Sequence, residues 1–143
     1  MYQTLTLEIV NHVATVIMSA KTFTPQLFAD IGSVFRDLSA RISGSTDPDD
    51  DIRVVLFCSD QKHFTYGLDL MAAVQDHAEI FMGGMAGERQ ALLALIRRWQ
   101  ADLQVVADCP VPVIASIHGW CIGAGLDLAS ACANCWLVYQ MRR

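Results

Sequence analysis

The stretch Val111-Pro-Val-Ile-Ala-Ser-Ile-His-Gly-Trp-Cys-Ile-Gly-Ala-Gly-Leu-Asp-Leu-Ala-Ser-Ala-Cys132 reads as strand, turn and helix in immediate succession. Val113 to Ile117 is a short apolar run closed by Pro112 before it and His118-Gly119 after it, which suits a buried strand. Gly119 to Gly125 is a glycine-rich turn, and Leu126 to Ala133 reads as the helix that follows. Pro112, His118, the glycines and Asp127 interrupt the apolar character, so this is core rather than a membrane span of about 20 apolar residues.

The same design occurs earlier. Val54 to Cys58 is a β-branched run that leads through Ser59-Asp60-Gln61-Lys62 to Phe64-Thr65-Tyr66-Gly67-Leu68-Asp69. Glycine in such turns permits positive φ and close approach of a ligand. The first N–H groups of a helix lack internal partners and carry the positive end of its dipole. Two converging turns of this kind can present their N–H groups to one anionic oxygen, although glycine also recurs in such turns merely to let strand and helix pack.

Upstream, Leu5, Leu7 and Ile9 alternate with polar residues, and Val13 to Met18 follows the Asn11-His12 break, which predicts a β-hairpin. Thr24 as N-cap, Pro25 as first helical residue and Leu27, Ile31, Val34, Phe35 and Leu38 at helical spacing predict a helix to about Arg41. The segment Ser43 to Asp51 gathers turn formers and acids. It reads as a solvated connector, with a calcium-type ligand cluster as the alternative. Gly83 to Gly87 separates a short helix from a long one whose apolar face is Leu92, Ile96, Trp99, Leu103 and Val106, and which must stop near Asp108 because Pro110 and Pro112 follow. The order ββα, βα, βα predicts an α/β fold in one domain.

Composition narrows the function. A chain of 143 residues that is 53% hydrophobic and 17% charged can build a core without staples and is not disordered. The net charge of −5 and the lack of a basic stripe exclude nucleic acid as the expected partner. Five cysteines, an odd number set mostly in apolar runs, suit reduced buried thiols in an intracellular compartment, and the amino terminus has no signal-peptide pattern. Cys132-Ala-Asn-Cys135 offers two zinc or redox ligands near Cys121 and His118, but a second pair at ligand spacing is absent. Among His12, His63, His77 and His118 no nucleophile–base order stands out, so packing or solvent-facing roles are expected of them. Phe81 and Trp99 sit where core packing explains them.

The Val111 to Cys132 stretch and Phe64-Thr-Tyr-Gly-Leu-Asp-Leu70 together resemble the two signature motifs of the enoyl-CoA hydratase/isomerase (crotonase) family, and Asp127 with the wording of both motifs is most similar to its dienoyl-CoA isomerase branch. The resemblance begins at the hairpin, includes Lys21 to Leu27, and ends near Cys132. It implies a crotonase-like spiral of ββα units, with residues 1–132 as the N-terminal part of the domain and 133–143 as a divergent tail.

By the same resemblance, the backbone N–H groups of Leu68 and Ala124 would bind the thioester oxygen of an acyl-CoA. Phe64, Tyr66, Gly67, Gly123 and Gly125 would line the substrate site. The family usually has glycine where Ala124 stands, so the hole depends on that position not needing positive φ. Asp127 would act as general acid/base or orient the substrate, against the plainer reading of a first-turn carboxylate on the helix dipole, while Asp69 most simply caps a helix.

The implied activity is dienoyl-CoA isomerisation in fatty-acid β-oxidation, with enoyl-CoA hydration or a non-catalytic interaction role as alternatives. No metal or redox cofactor is implied, since CoA is part of the substrate and Lys21, Lys62 and Arg89 are available cations. Mitochondrion, peroxisome and cytoplasm remain equally open. The family pattern breaks after Cys132, and the branch's further carboxylates and trimer-forming helices lie beyond that break. A truncated member is therefore expected, with weak turnover, exposed apolar surface and self-association in place of the family's trimers and hexamers.

Overall fold

Asn11 and His12 both take positive φ, 49° and 66°, the conformation that a two-residue hairpin turn matched to strand twist requires. They join β1 (Leu5–Val10) to β2 (Val13–Met18) in antiparallel register from Leu5 opposite Met18 to Val10 opposite Val13. The predicted hairpin is therefore present in a computed structural model, which describes residues 2–44, 51–82, 85–132 and 134–137. Most of the acidic connector, the Gly83-Gly84 pair and the Cys135 side chain lie outside the described residues.

Three further strands add in parallel, β3 (Val54–Ser59), β4 (Val113–Ile117) and β5 (Asn134–Leu137), giving the sheet order β1-β2-β3-β4-β5. The backbone of β5 carries the sheet past the boundary expected at Cys132. The connections are helical. They are α1 (Pro25–Gly44) between β2 and β3, then α2 (Leu70–Asp76), α3 (Ala78–Met82) and α4 (Ala86–Ala107) between β3 and β4, and α5 (Ala124–Ala131) between β4 and β5.

Register and the two-residue period of strands decide where the core lies. Ala14 pairs with Val55 and Val16 with Phe57, and these pair in turn with Val113 and Ala115. All six are buried on one sheet face, where Leu27, Ile31, Val34, Phe35 and Leu38 of α1 meet them with Val106 of α4 and Leu128 of α5. Thr24 caps α1 as expected, its Oγ1 accepting from Leu27 N–H at 3.2 Å. The helix runs three residues beyond Arg41.

Two elements differ from the sequence reading. The buried stripe of α4 holds Leu95, Asp102 and Val106, while Ile96 is 40% exposed. Asp102 fits inside because it pairs with Arg36 of α1 at 3.1 Å, and because Gly32, having no Cβ, leaves room for its carboxylate. Helix α5 starts at Ala124 rather than Leu126 and ends at Ala131 rather than Ala133, since Gly123 is its N-cap. Among the described residues, Cys58, Cys109, Cys121 and Cys132 form no disulfide and are only partly buried. Burial nonetheless pushes the thiols of Cys58 and Cys109 up from their usual range, with Asp60 and Glu8 adding to the effect at Cys58.

Candidate functional site

Strands β3 and β4 are parallel neighbours, so the chain leaves both at the same edge of the sheet. The two segments that follow then run side by side. Phe64 N–H donates to His118 O at 2.8 Å and Thr65 N–H to Trp120 O at 2.9 Å, and Thr65 forms a parallel bridge with Cys121. On its other side the first turn is bonded to the segment after β2, through Tyr66 N–H to Lys21 O (2.9 Å), Phe23 N–H to Gly67 O (2.7 Å) and Asp69 N–H to Phe23 O (2.9 Å).

Because the Gly67 carbonyl of this trans peptide is turned to Phe23, the Leu68 N–H faces away from Phe23. Its neighbours are satisfied, Gly67 N–H by Thr65 Oγ1 (3.2 Å) and Asp69 N–H by Phe23 O, whereas the Leu68 N–H has no acceptor among the described residues. In the second turn Gly123 adopts φ 53°, ψ −121°, and Gly125 N–H donates to Ile122 O at 3.0 Å. These are the marks of a type II′ turn with glycine at its first central position. Leu126 and Asp127 N–H both donate to Gly123 O, at 2.8 and 3.2 Å, so they too are satisfied. Ala124, the first residue of α5, has an N–H with no acceptor among the described residues.

The glycines that precede these two N–H groups touch. Gly67 has φ 88°, and a Cβ built on it would sit 2.9 Å from Ile122 O and 3.8 Å from Gly123 Cα. A side chain at Gly67 would push the turns apart, whereas at Gly123 a Cβ would meet Gly67 Cα at an ordinary 3.8 Å and it is the positive φ that favours glycine. Ala124 is not among the residues with positive φ, which among the described non-glycine residues are Asn11 and His12 alone, so alanine there carries no backbone strain. The site thus offers two unpartnered backbone donors on adjoining turns, one of them at the positive end of a helix, which suits a carbonyl oxygen that acquires negative charge.

The remaining predicted residues divide. Tyr66 and Leu68 are each 40% exposed, Trp120, Ile122 and Leu126 of the second segment are exposed as well, and the Tyr66 ring meets Trp120 edge-on. Phe64 has no exposed surface and packs on Phe57 at 6.2 Å, so it is the floor beneath the first turn rather than a surface that a substrate touches. Gly125 is likewise buried, and the Thr65 methyl fills the space that its missing Cβ leaves. Asp127 is exposed in the first turn of α5, and its carboxylate has no partner among the described residues. Asp69 is the N-cap of α2, accepting from Ala72 N–H at 2.9 Å and Thr22 Oγ1 at 3.1 Å.

Sequence reasoning missed Thr65 and His63. Thr65 is fully buried, and its hydroxyl donates to Lys21 O at 3.1 Å while accepting from Gly67. A polar residue inside an apolar-glycine motif is the signal that marks it. His63 accepts a hydrogen bond from Trp120 N–H at Nδ1 (3.2 Å), a contact between segments that no local pattern encodes. His118 bonds Gln61 O through Nε2 at 2.7 Å, a structural role. A cavity of about 340 Å³ lies at the opposite end of β4, lined by Val106, Cys109, Val113 and Ala131 among others, and includes no residue of the two turns. Among the described residues no three His, Cys, Asp or Glu side chains converge as a metal site would need, and no helix is long and apolar enough to cross a membrane.

Comparison with known proteins bears on the family and the fold. The model of the family described as enoyl-CoA hydratase/isomerase matches residues 11–137. The mitochondrial Delta(3,5)-Delta(2,4)-dienoyl-CoA isomerase of Rattus norvegicus is 44% identical over 84 residues, which are 59% of this chain and 26% of that protein. The peroxisomal enzyme of the same name from Arabidopsis thaliana is 36% identical over 89 residues, 62% of this chain and 32% of its own length. A crystal structure of an enoyl-CoA hydratase/isomerase from Marinobacter aquaeolei superposes with a TM-score of 0.75 at 21% identity, a likeness of fold, covering 94% of this chain and 48% of the other. The chain therefore spans about half the length of that solved relative, and its match to the curated relatives covers about a third of their length or less.

Proposed function

The chain belongs to the enoyl-CoA hydratase/isomerase family, and from that premise we propose that its paired turns hold the carbonyl oxygen of an acyl-CoA thioester between the N–H groups of Leu68 and Ala124. One observation carries this reading: two donors without acceptors among the described residues, each directly following a glycine, where the two glycines lie against each other. Loss of a proton from carbon conjugated to a thioester yields an enolate whose charge gathers on that oxygen. Each donor aimed at it contributes roughly 10² to 10³ in rate.

The substrate class we propose is a dienoyl-CoA, consistent with the names of the dienoyl-CoA isomerase relatives. In such an isomerisation a base takes a proton from C2, and the C–H electron pair becomes the C1=C2 double bond of the enolate as the carbonyl π pair moves onto oxygen. When that pair returns, the double bonds shift to positions 2 and 4 while an acid delivers a proton to C6. No electrons are gained or lost overall, so no redox cofactor or metal is called for. Asp127 is the carboxylate to which this reading gives proton movement or orientation of the chain, because it is exposed in the first turn of α5 whereas Asp69 is occupied as a cap. Lys21, bonded through its backbone to the first turn, and Lys62 are cations available to the CoA phosphates.

A single free carboxylate on the two turns cannot both remove and return protons at separate carbons efficiently, so slow turnover is expected of this chain alone. The test is addition of a 3,5-dienoyl-CoA with the conjugated 2,4-dienoyl thioester followed by its ultraviolet absorbance. A slow rise that Asp127→Asn abolishes is expected, and failure of the protein to bind any acyl-CoA would overturn the reading.

A further inference from the structure

We infer that His63 is a positioning residue that holds the Ala124 donor in register with the Leu68 donor, an inference that rests on the thioester-oxygen reading above. Trp120 is the residue from which the second turn swings out, and both of its backbone polar groups are held by the first turn. Its carbonyl accepts from Thr65 N–H at 2.9 Å, and its N–H donates to His63 Nδ1 at 3.2 Å. A ring nitrogen that accepts carries no proton, so the proton of this imidazole sits on Nε2.

Besides that hydrogen bond, two aromatic contacts fix the ring itself. It stacks on the Trp120 indole with centroids 4.9 Å apart and planes at 18°, and Tyr66 meets His63 and Trp120 edge-on at 5.4 and 5.5 Å. The fourth constraint is Gly119, whose φ is 61°. A Cβ there would overlap Nδ1, so glycine at this position makes the room that the ring occupies. His63 thus ties a first-turn side chain to second-turn backbone four residues before Ala124, and a tie to backbone fixes the path of the chain in a way that a contact between side chains does not.

The probe is acetoacetyl-CoA, a β-ketothioester whose enolate has a near-ultraviolet band that its keto form lacks. At saturation, wild-type protein is expected to raise the enolate-to-keto ratio. His63→Phe keeps a stacking ring without the acceptor and should lower that ratio about fivefold, the usual net worth of one hydrogen bond. His63→Asn, which places an acceptor oxygen near Nδ1, should stay within about twofold of wild type. Affinity for CoA lacking an acyl group should be equal in all three proteins.

An undiminished enolate band in His63→Phe overturns the inference while leaving the thioester-oxygen reading intact, as does a fall of equal size in both variants or a parallel loss of CoA affinity. No enolate enrichment in the wild type overturns the reading itself, and the inference falls with it. If His63→Phe does not fold, His63→Ala at this half-buried position supplies the same loss of acceptor and is judged by the same ratio.

Discussion

Ala124 shows what a single residue decides. Its place as the second central residue of a type II′ turn gives it an ordinary helical backbone, with the demand for positive φ falling entirely on Gly123. It is also the first residue of α5, the helical position that tolerates proline best. Ala124→Pro should therefore fold with near wild-type stability while deleting one donor, and turnover of a dienoyl-CoA should fall by roughly 10² to 10³. A steady-state assay beside a thermal melt checks this, and full activity in a folded Ala124→Pro would remove that N–H from the chemistry. The turns at Gly67 and Gly123 were legible in the sequence because glycine spacing is a local signal, while Leu68 was singled out only through the family resemblance. The His63, Tyr66 and Trp120 cluster was not, since His63 and Trp120 are 57 positions apart and meet only when β3 and β4 pair.

At the scale of elements, what hid from periodicity was the satisfied acid. Asp102 sits in the buried stripe of α4, and reading that stripe as wholly apolar rotates the face toward Ile96. Asp30 does comparable work on α1, where it fastens the segment leading into β1. Its carboxylate accepts from Gln3 N–H at 2.9 Å, from Thr4 N–H and Oγ1 at 2.8 Å each, and from Gln26 Nε2 at 2.8 Å. Burial alone would raise its pKa, but the hydrogen bonds outweigh burial and hold the carboxyl below its ordinary 3.8.

A depressed carboxylate contributes stability that is fully present above the unfolded value and is lost as pH falls through the folded one. Asp30→Asn should then destabilise the protein by about 1 to 3 kcal/mol at pH 7. Urea unfolding should show that gap narrowing as pH falls below about 4, and a gap independent of pH would contradict the assignment.

For the molecule as a whole, alternation along the strands put the core on one side of the sheet. The opposite side, with Val13, Ile17, Val54, Leu56 and Ile114, is only half-buried. Apolar area of that kind on a protein this size favours association, so size-exclusion chromatography is expected to show a second copy bound at micromolar concentration, and a strict monomer would contradict this. The fold class was legible because each crossover leaves a strand, a turn and a helix in sequence order. The meeting of the turns was implied only by the family resemblance and not by local pattern, because it depends on β3 and β4 being neighbours in the sheet.

That meeting is the central claim, and backbone amide NMR tests it most directly. With ¹⁵N-labelled protein and acetoacetyl-CoA, the amide protons of Leu68 and Ala124 should both move downfield together along one saturation curve. Movement of one without the other, or of neither at saturation, would contradict a shared oxygen between them.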